Sequence, residues 1–142
     1  MCEQNELVTA SLVADDSRLD FLPFHFGTRH MLRGEAMVYG WMRLLCKAYD
    51  GGYWNFYTLS NGGFYMAPDF KGPMRLEVDG NGFRGNVSAD AAGVIVTLFA
   101  LCYLAEELYG TDGADAVVEN YHRLREFVDG HREARAIFRA ID

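Results

Sequence analysis

Cysteine is scarce in this chain. Cys2, Cys46 and Cys102 are odd in number and far apart, a pattern that argues against a disulfide framework and fits a reducing compartment. Long apolar runs are missing as well. The longest, Ala91 to Ala105, is interrupted at Thr97 and falls short of the roughly 18 residues that a membrane span needs. The opening stretch MCEQNELVTA has neither a basic n-region nor an apolar h-region, so no secretory signal is expected and the location reads as cytoplasmic. No internal repeat, long linker or low-complexity stretch breaks the chain. With 142 residues, 50% hydrophobic and 23% charged, it reads as a single globular domain over 1–142, able to bury about two thirds of its unfolded surface. Residues 1–8 are expected to be mobile.

Positive charge is also in short supply. Lys and Arg number 13 against 20 Asp and Glu, for a net charge of −7, which disfavours direct binding to a phosphate backbone. Imitation of DNA is the opposite possibility, but the acids are interspersed with arginines and their density is ordinary. The cation deficit is uneven: no Lys or Arg lies between Arg84 and Arg123, and five arginines stand from Arg123 onward.

What the chain does have is aromatic hairpin sequence. In GGYWNFYTLSNGGFYMAP, Gly51 to Pro68, two β-prone runs flank Asn61-Gly62, the strongest short-range hairpin signal. With Asn61-Gly62 as a two-residue loop, Leu59 pairs with Phe64, Thr58 with Tyr65 and Tyr57 with Met66. One face then carries Tyr57, Leu59, Phe64 and Met66, and the other Trp54, Phe56 and Tyr65; a one-residue slip would exchange these sets. A second half-buried hairpin follows, with Met74, Leu76 and Val78 alternating with Arg75 and Glu77, then Phe83, Gly85 and Val87 after Asp79-Gly80-Asn81-Gly82. Short connections predict a four-stranded antiparallel β-meander.

Helices are predicted on both sides of it. Asp15 to Phe26 reads as a short irregular helix or turn containing Pro23. From Thr28 to Tyr49 the pattern is helical, with Arg29, Arg33, Ala36, Gly40, Arg43 and Lys47 on one face and Met31, Val38, Met42, Leu45 and Tyr49 opposite. Ser88 is an N-cap candidate with Asp90 in the first turn, opening a helix that is apolar nearly all round and ends near Gly110. A helix over Gly113 to Val128 turns Val117, Tyr121, Leu124 and Val128 inward and pairs Glu119 with Arg123. A last one buries Ala134, Ile137, Phe138 and Ile141 and shows Arg132, Arg135 and Arg139. The fold class is α+β, one long N-terminal helix and three C-terminal helices packed on the sheet.

No residue set spells out a reaction. Gly80 to Gly85 matches G-x-G-x-x-G, but it sits in a hairpin with no βαβ crossover to hold a dinucleotide. His25, His30, His122 and His131 lack metal-ligand spacing, and Cys46 and Cys102 fall on apolar helix patterns that suit small core residues. Ser88 has no nucleophile elbow, and adjacent carboxylates such as Glu106 and Glu107 face apart on a helix. No enzyme activity, cofactor or metal is expected.

The candidates that remain are contacts. The Trp54, Phe56 and Tyr65 face needs a cover, from a helix of this chain or from a protein partner. Arg33 and Arg43 belong to the cationic stripe, where Ala36 and Gly40 leave room for another backbone.

Taken with GEAMVYGWM from Gly34, YDGGYWNFYTLSNGGFYMAP from Tyr49, GNGFRGNVSADAAG from Gly80 and the ending YHRLREFVDGHREARAIFRAID, the chain resembles the ArdB/KlcA-type antirestriction proteins of plasmids and other mobile elements, from about Thr9 to Asp142. The resemblance implies a small non-enzymatic inhibitor of host type I restriction-modification enzymes; the modest acidity and the aromatic hairpin lead us to expect action by protein contact, with no direct nucleic-acid binding, no membrane, and a monomer or weak dimer. Asp142, at the end of the matched strings, joins Trp54, Phe56, Tyr65, Arg33 and Arg43 as a candidate contact residue. The alternative is an acidic DNA mimic or a DNA-binding accessory protein of a mobile element.

Overall fold

The computed structural model describes residues 7–142, so Cys2 and most of the stretch expected to be mobile lie outside the described residues. Within it, Val8 is half-buried against the core, and the Thr9 N–H donates to the Ser60 hydroxyl at 2.9 Å. The fold is α+β. Strand β1 (Ala10–Leu12) is followed by a 3-10 turn (Asp15–Ser17), α1 (Arg18–Phe26) and α2 (Met31–Leu45). Then come β2 (Trp54–Leu59), β3 (Phe64–Pro68), β4 (Met74–Val78), β5 (Phe83–Val87), α3 (Ala89–Glu107), α4 (Ala114–Val128) and α5 (Ala134–Ile141).

The four-stranded meander is not what forms. The strands divide into an antiparallel three-stranded sheet ordered β1-β2-β3 and a separate β4-β5 hairpin. The reason lies in α3, which occupies the outer edge of β3. The Thr97 hydroxyl accepts from the Met66 N–H at 3.3 Å and donates to the Met66 carbonyl at 3.4 Å. At Gly93 a Cβ would overlap the Met66 carbonyl oxygen and the Ala67 Cα. Only glycine lets the helix come so close, and a covered edge has no ladder to offer β4. Strand β1 takes the opposite side of β2; its three residues, ASL, are too few to show a period.

The hairpin register is also displaced by one residue. Thr58 pairs with Phe64, Tyr57 with Tyr65 and Phe56 with Met66. In the loop, the Gly62 N–H donates to the Leu59 carbonyl at 2.9 Å, which makes Ser60 and Asn61 the central pair. Within this loop only Gly62 takes positive φ, at +92°. A glycine bulge has replaced the two-residue turn. Trp54 and Phe56 therefore share a face with Phe64 and Met66, and Tyr65 turns to the other side with Tyr57.

Both faces of this sheet are covered by the chain itself. On one, Phe21 of α1 stacks on Phe56 at 4.4 Å between ring centres, and His25 on Phe64 at 4.5 Å. On the other, Tyr57 stacks on Tyr65 at 4.8 Å and Tyr65 on Phe127 of α4 at 5.4 Å. Helix α3 is the centre of the core. Ser88 caps it as expected, its hydroxyl accepting from the Ala91 N–H at 3.1 Å. The helix is long and apolar enough to cross a membrane, yet 67% of its apolar window is buried inside the fold, among α2, α4, α5 and β3. Cys46 is buried as expected of a core cysteine; Cys102, on the same helix as the apolar run, is exposed. Burial and Glu106 push its thiol above the usual range, away from an activated thiolate.

Two asparagine turns lock the hairpins onto helices. Asn61 Oδ1 accepts the Gly63 N–H at 3.0 Å, and its Nδ2 donates to the Arg123 carbonyl of α4 at 3.0 Å. Asn81 does the same: Oδ1 accepts the Phe83 N–H at 2.9 Å and Nδ2 donates to the Ala140 carbonyl at 2.8 Å. The second latch satisfies a carbonyl at the C-terminal end of α5 that the helix leaves without a partner.

Candidate interaction surface

The sequence-derived candidates separate into buried and exposed sets. Trp54, Phe56 and Tyr65 have relative exposures of 3%, 5% and 2%. They offer no surface for a partner, and the cover they require comes from α1, α2 and α4. Trp54 Nε1 donates to the Tyr49 hydroxyl at 2.8 Å, with Tyr39 of α2 at 5.2 Å between ring centres. Arg33, Arg43 and Asp142 are exposed. Arg33 grips Glu107 of α3 with two bonds, Nε to Oε2 at 3.1 Å and Nη2 to Oε1 at 2.5 Å. Asp142 lies 3.6 Å from Arg125 of α4, whose guanidinium also stands 5.1 Å above the Phe138 ring.

The densest polar cluster sits where α3 begins. Tyr65 donates its hydroxyl to Asp90 Oδ1 at 2.6 Å, and Asp90 Oδ2 is 2.7 Å from His131 Nε2. His131 Nδ1 accepts the Glu133 N–H at 2.9 Å. That fixes the ring proton on Nε2, so His131 donates to Asp90. Burial raises the Asp90 carboxyl, but the bonds from His131 and Tyr65 outweigh it and leave the group below the usual carboxylate range. Beside it, Ser88 donates its hydroxyl to Glu133 Oε2 at 2.5 Å and its N–H to Oε1 at 3.0 Å. An open cleft of about 600 Å³ adjoins this cluster, bordered by Asn55, Tyr57, Asp69, Asn86, Asp90 and Glu133. The chemistry resembles an acid–histidine–serine set only in composition. Ser88 is bonded to Glu133, and both histidine nitrogens are occupied, so no base faces a nucleophile. The cluster fastens β3, α3 and the α4–α5 turn together.

A concave surface with exposed apolar groups lies elsewhere, between α2 and α3. A groove of about 610 Å³ is lined by Ala36, Met37, Gly40, Trp41, Leu44 and Tyr103, with Arg33 and Glu107 among its edge residues. Trp41 stacks on Phe99 at 4.6 Å and tilts against Tyr103 at 5.0 Å. Leu44 and Tyr103 are 65% and 45% exposed, and a Cβ at Gly40 would meet nothing within 4 Å. The gap anticipated at Ala36 and Gly40 is real space. Its aromatic wall was not among the sequence candidates: Trp41 and Tyr103 come from helices that only the tertiary fold sets side by side.

The antirestriction protein family model matches residues 47–142. Antirestriction protein KlcA of Escherichia coli is 62% identical over 142 residues, covering 100% of both chains. A second Escherichia coli protein of that name is 60% identical over 137 residues, covering 95% of this chain and 94% of its own. The chain belongs to the antirestriction protein family. A solved structure reported for the KlcA and ArdB proteins matches this antirestriction protein with a TM-score of 0.92 and 61% identity, covering 100% of each. Those proteins are described as having antirestriction activity against type I DNA restriction systems in vivo but not in vitro. Among proteins of Escherichia coli K12, the uncharacterised YafX is 41% identical over 138 residues, covering 95% of this chain and 88% of its own.

The strings that carried the resemblance have structural work in this antirestriction protein. SNGGFYMAP holds the Asn61 latch and the strand against which α3 closes; GNGFRGN holds the Asn81 latch. These two strings build the scaffold, whereas GEAMVYGWM supplies Ala36, Met37, Gly40 and Trp41 of the groove.

Proposed function

We propose that the protein inhibits host type I restriction-modification and thereby protects incoming plasmid or phage DNA, in the cytoplasm, through contact with the restriction complex and without chemistry of its own. The single observation that carries this reading is the end-to-end match to KlcA, in sequence and in fold, together with the activity described for KlcA and ArdB. The described loss of that activity in vitro supports dependence on a component that the cell supplies. The polar cluster at the start of α3 supports it too, because its hydroxyl, imidazole and carboxylates are bonded to one another.

Arg33 and Arg43 on α2, with the apolar groove beside them, make the contact surface in this reading, and Asp142 lies on a second exposed edge. Trp54, Phe56 and Tyr65 serve it by holding the scaffold. The protein acts as a monomer or a weak dimer. The test is the plating efficiency of unmodified phage on hosts with type I, type II or no restriction. Protection is expected in the type I host alone; equal plating there with and without the gene would overturn the reading. Strong, salt-sensitive competition with DNA for the isolated DNA-recognition subunit would favour the acidic DNA mimic in its place.

A further inference from the structure

The charge of this acidic protein is segregated in space as well as in sequence. Exposed Glu106, Glu107, Asp112 and Asp115 gather at the C-terminal end of α3 and the start of α4. The bond between Ser88 and Glu133 ties the beginning of α5 to the other end of α3. The 19 residues of α3 separate those two ends by about 28 Å. At the α5 end three exposed arginines outnumber the exposed carboxylates of Asp129 and Asp142. Arg135 and Arg139 are four apart and so share a face of α5, Arg132 stands in the turn two residues before the helix, and all three are exposed. None takes part in an ion pair among the described residues. Two carboxylates of the same segment are engaged elsewhere, Glu133 with Ser88 and Asp142 with Arg125. Asp129, at the end of α4, is exposed, and Arg132 lies near enough to Asp90 to lower its carboxyl.

We propose that Arg135 and Arg139 of α5, with Arg132 in the turn before it, form a docking surface for an acidic protein surface, the chemistry by which the contact reading above would recognise its partner. Exposed guanidinium groups without an ion-pair partner among the described residues suit carboxylates, which they can grip with two bonds each. A phosphate backbone is the poorer match: three cations on a chain of net charge −7 give few phosphate contacts and a repulsive background. The opposite end of the molecule, being acidic, favours one orientation as the partners approach.

Two measurements test this. In the first, the isotope-labelled protein is titrated with a glutamate-rich peptide and, separately, with a duplex oligonucleotide. Amide shifts confined to residues 131–142, abolished by salt and by the triple substitution Arg132→Glu, Arg135→Glu, Arg139→Glu, are expected with the peptide. Absence of those shifts, or their appearance with the duplex and not the peptide, would overturn the proposal. In the second, the triple Glu variant is compared in the phage-plating assay with the triple Arg→Lys variant. Protection falling by about tenfold or more with Glu, and kept largely with Lys, is expected at unchanged melting temperature. Wild-type protection by the folded Glu variant would also overturn it. Failure of the wild type to protect would count against the contact reading alone, and the peptide titration would still decide the arginine face.

Discussion

Tyr65 donates its hydroxyl to Asp90 across 2.6 Å, joining the middle of β3 to the first turn of α3. The bond makes Tyr65 a core residue with a polar anchor, and burial together with the Asp90 carboxylate drives its phenol far above the ordinary range. Tyr65→Phe keeps the ring stack on Phe127 and removes only the anchor. A loss of about 1–2 kcal/mol in urea unfolding is expected, with phage protection unchanged under conditions where the variant stays folded. Lost protection in a fully folded Tyr65→Phe protein would return Tyr65 to the contact surface.

The two asparagine latches should act independently, because Asn61 docks on α4 and Asn81 on the end of α5. Each Asn→Ala change removes a turn bond and a helix carbonyl's partner, and should cost about 1–2 kcal/mol. The double variant should show the sum of the two to within a few tenths of a kcal/mol. A large deviation from additivity in the unfolding midpoints would mean that the hairpins are coupled through α3.

Gly93 and Gly40 predict opposite outcomes for the same substitution. Gly93→Ala forces a methyl group into the Met66 carbonyl and the Ala67 backbone, so it should destabilise by about 3 kcal/mol or leave the protein insoluble. Gly40→Ala places its methyl in open space and should stabilise α2 by about 0.5–1 kcal/mol. Gly40→Trp would fill the groove instead. Expected is a folded protein with reduced phage protection, and full protection would remove the groove from the contact surface.

Acid should weaken the fold in two steps. Burial against Phe21 and Phe64 lowers His25 from 6.5 to about 4. Between those values the unfolded chain binds the proton and the folded chain does not, so stability is complete above pH 6.5 and declines as pH falls toward 4. Partial solvent contact of the ring limits the loss to about 1–2 kcal/mol. Asp90 has the opposite chemistry and the same sign. Its carboxyl is below 3.8 in the fold, so its contribution is present above that value and disappears as pH falls through the lower folded one. Urea midpoints measured against pH should show the first decline abolished in His25→Gln and the second in Asp90→Asn.

How much of this was legible beforehand follows from the range of each signal. Ser88 as a cap, Glu119 with Arg123, and the exposed Arg132, Arg135 and Arg139 were readable because capping and helical spacing act within a few residues. The Asn61-Gly62 hairpin was readable for the same reason, though not its register: the positive φ of Gly62 serves a bulged loop after Ser60-Asn61 as readily as a two-residue turn. What could not be read was the pairing of β1 with β2 over some 50 residues, or the closure of α3 on β3 at Gly93. Both are contacts between distant segments, set by which surfaces fit when the whole core closes.

The sequence by itself therefore determined the α+β class, the helix faces and the positions of the two asparagine turns, written in local pattern and spacing, and its longer strings carried the family resemblance. The tertiary structure alone decided that the aromatic hairpin is core on both faces and that Trp41 and Tyr103 meet in an open groove between α2 and α3. The physical reason is that a side chain's type says what it can do, while its exposure depends on neighbours that arrive from elsewhere in the chain.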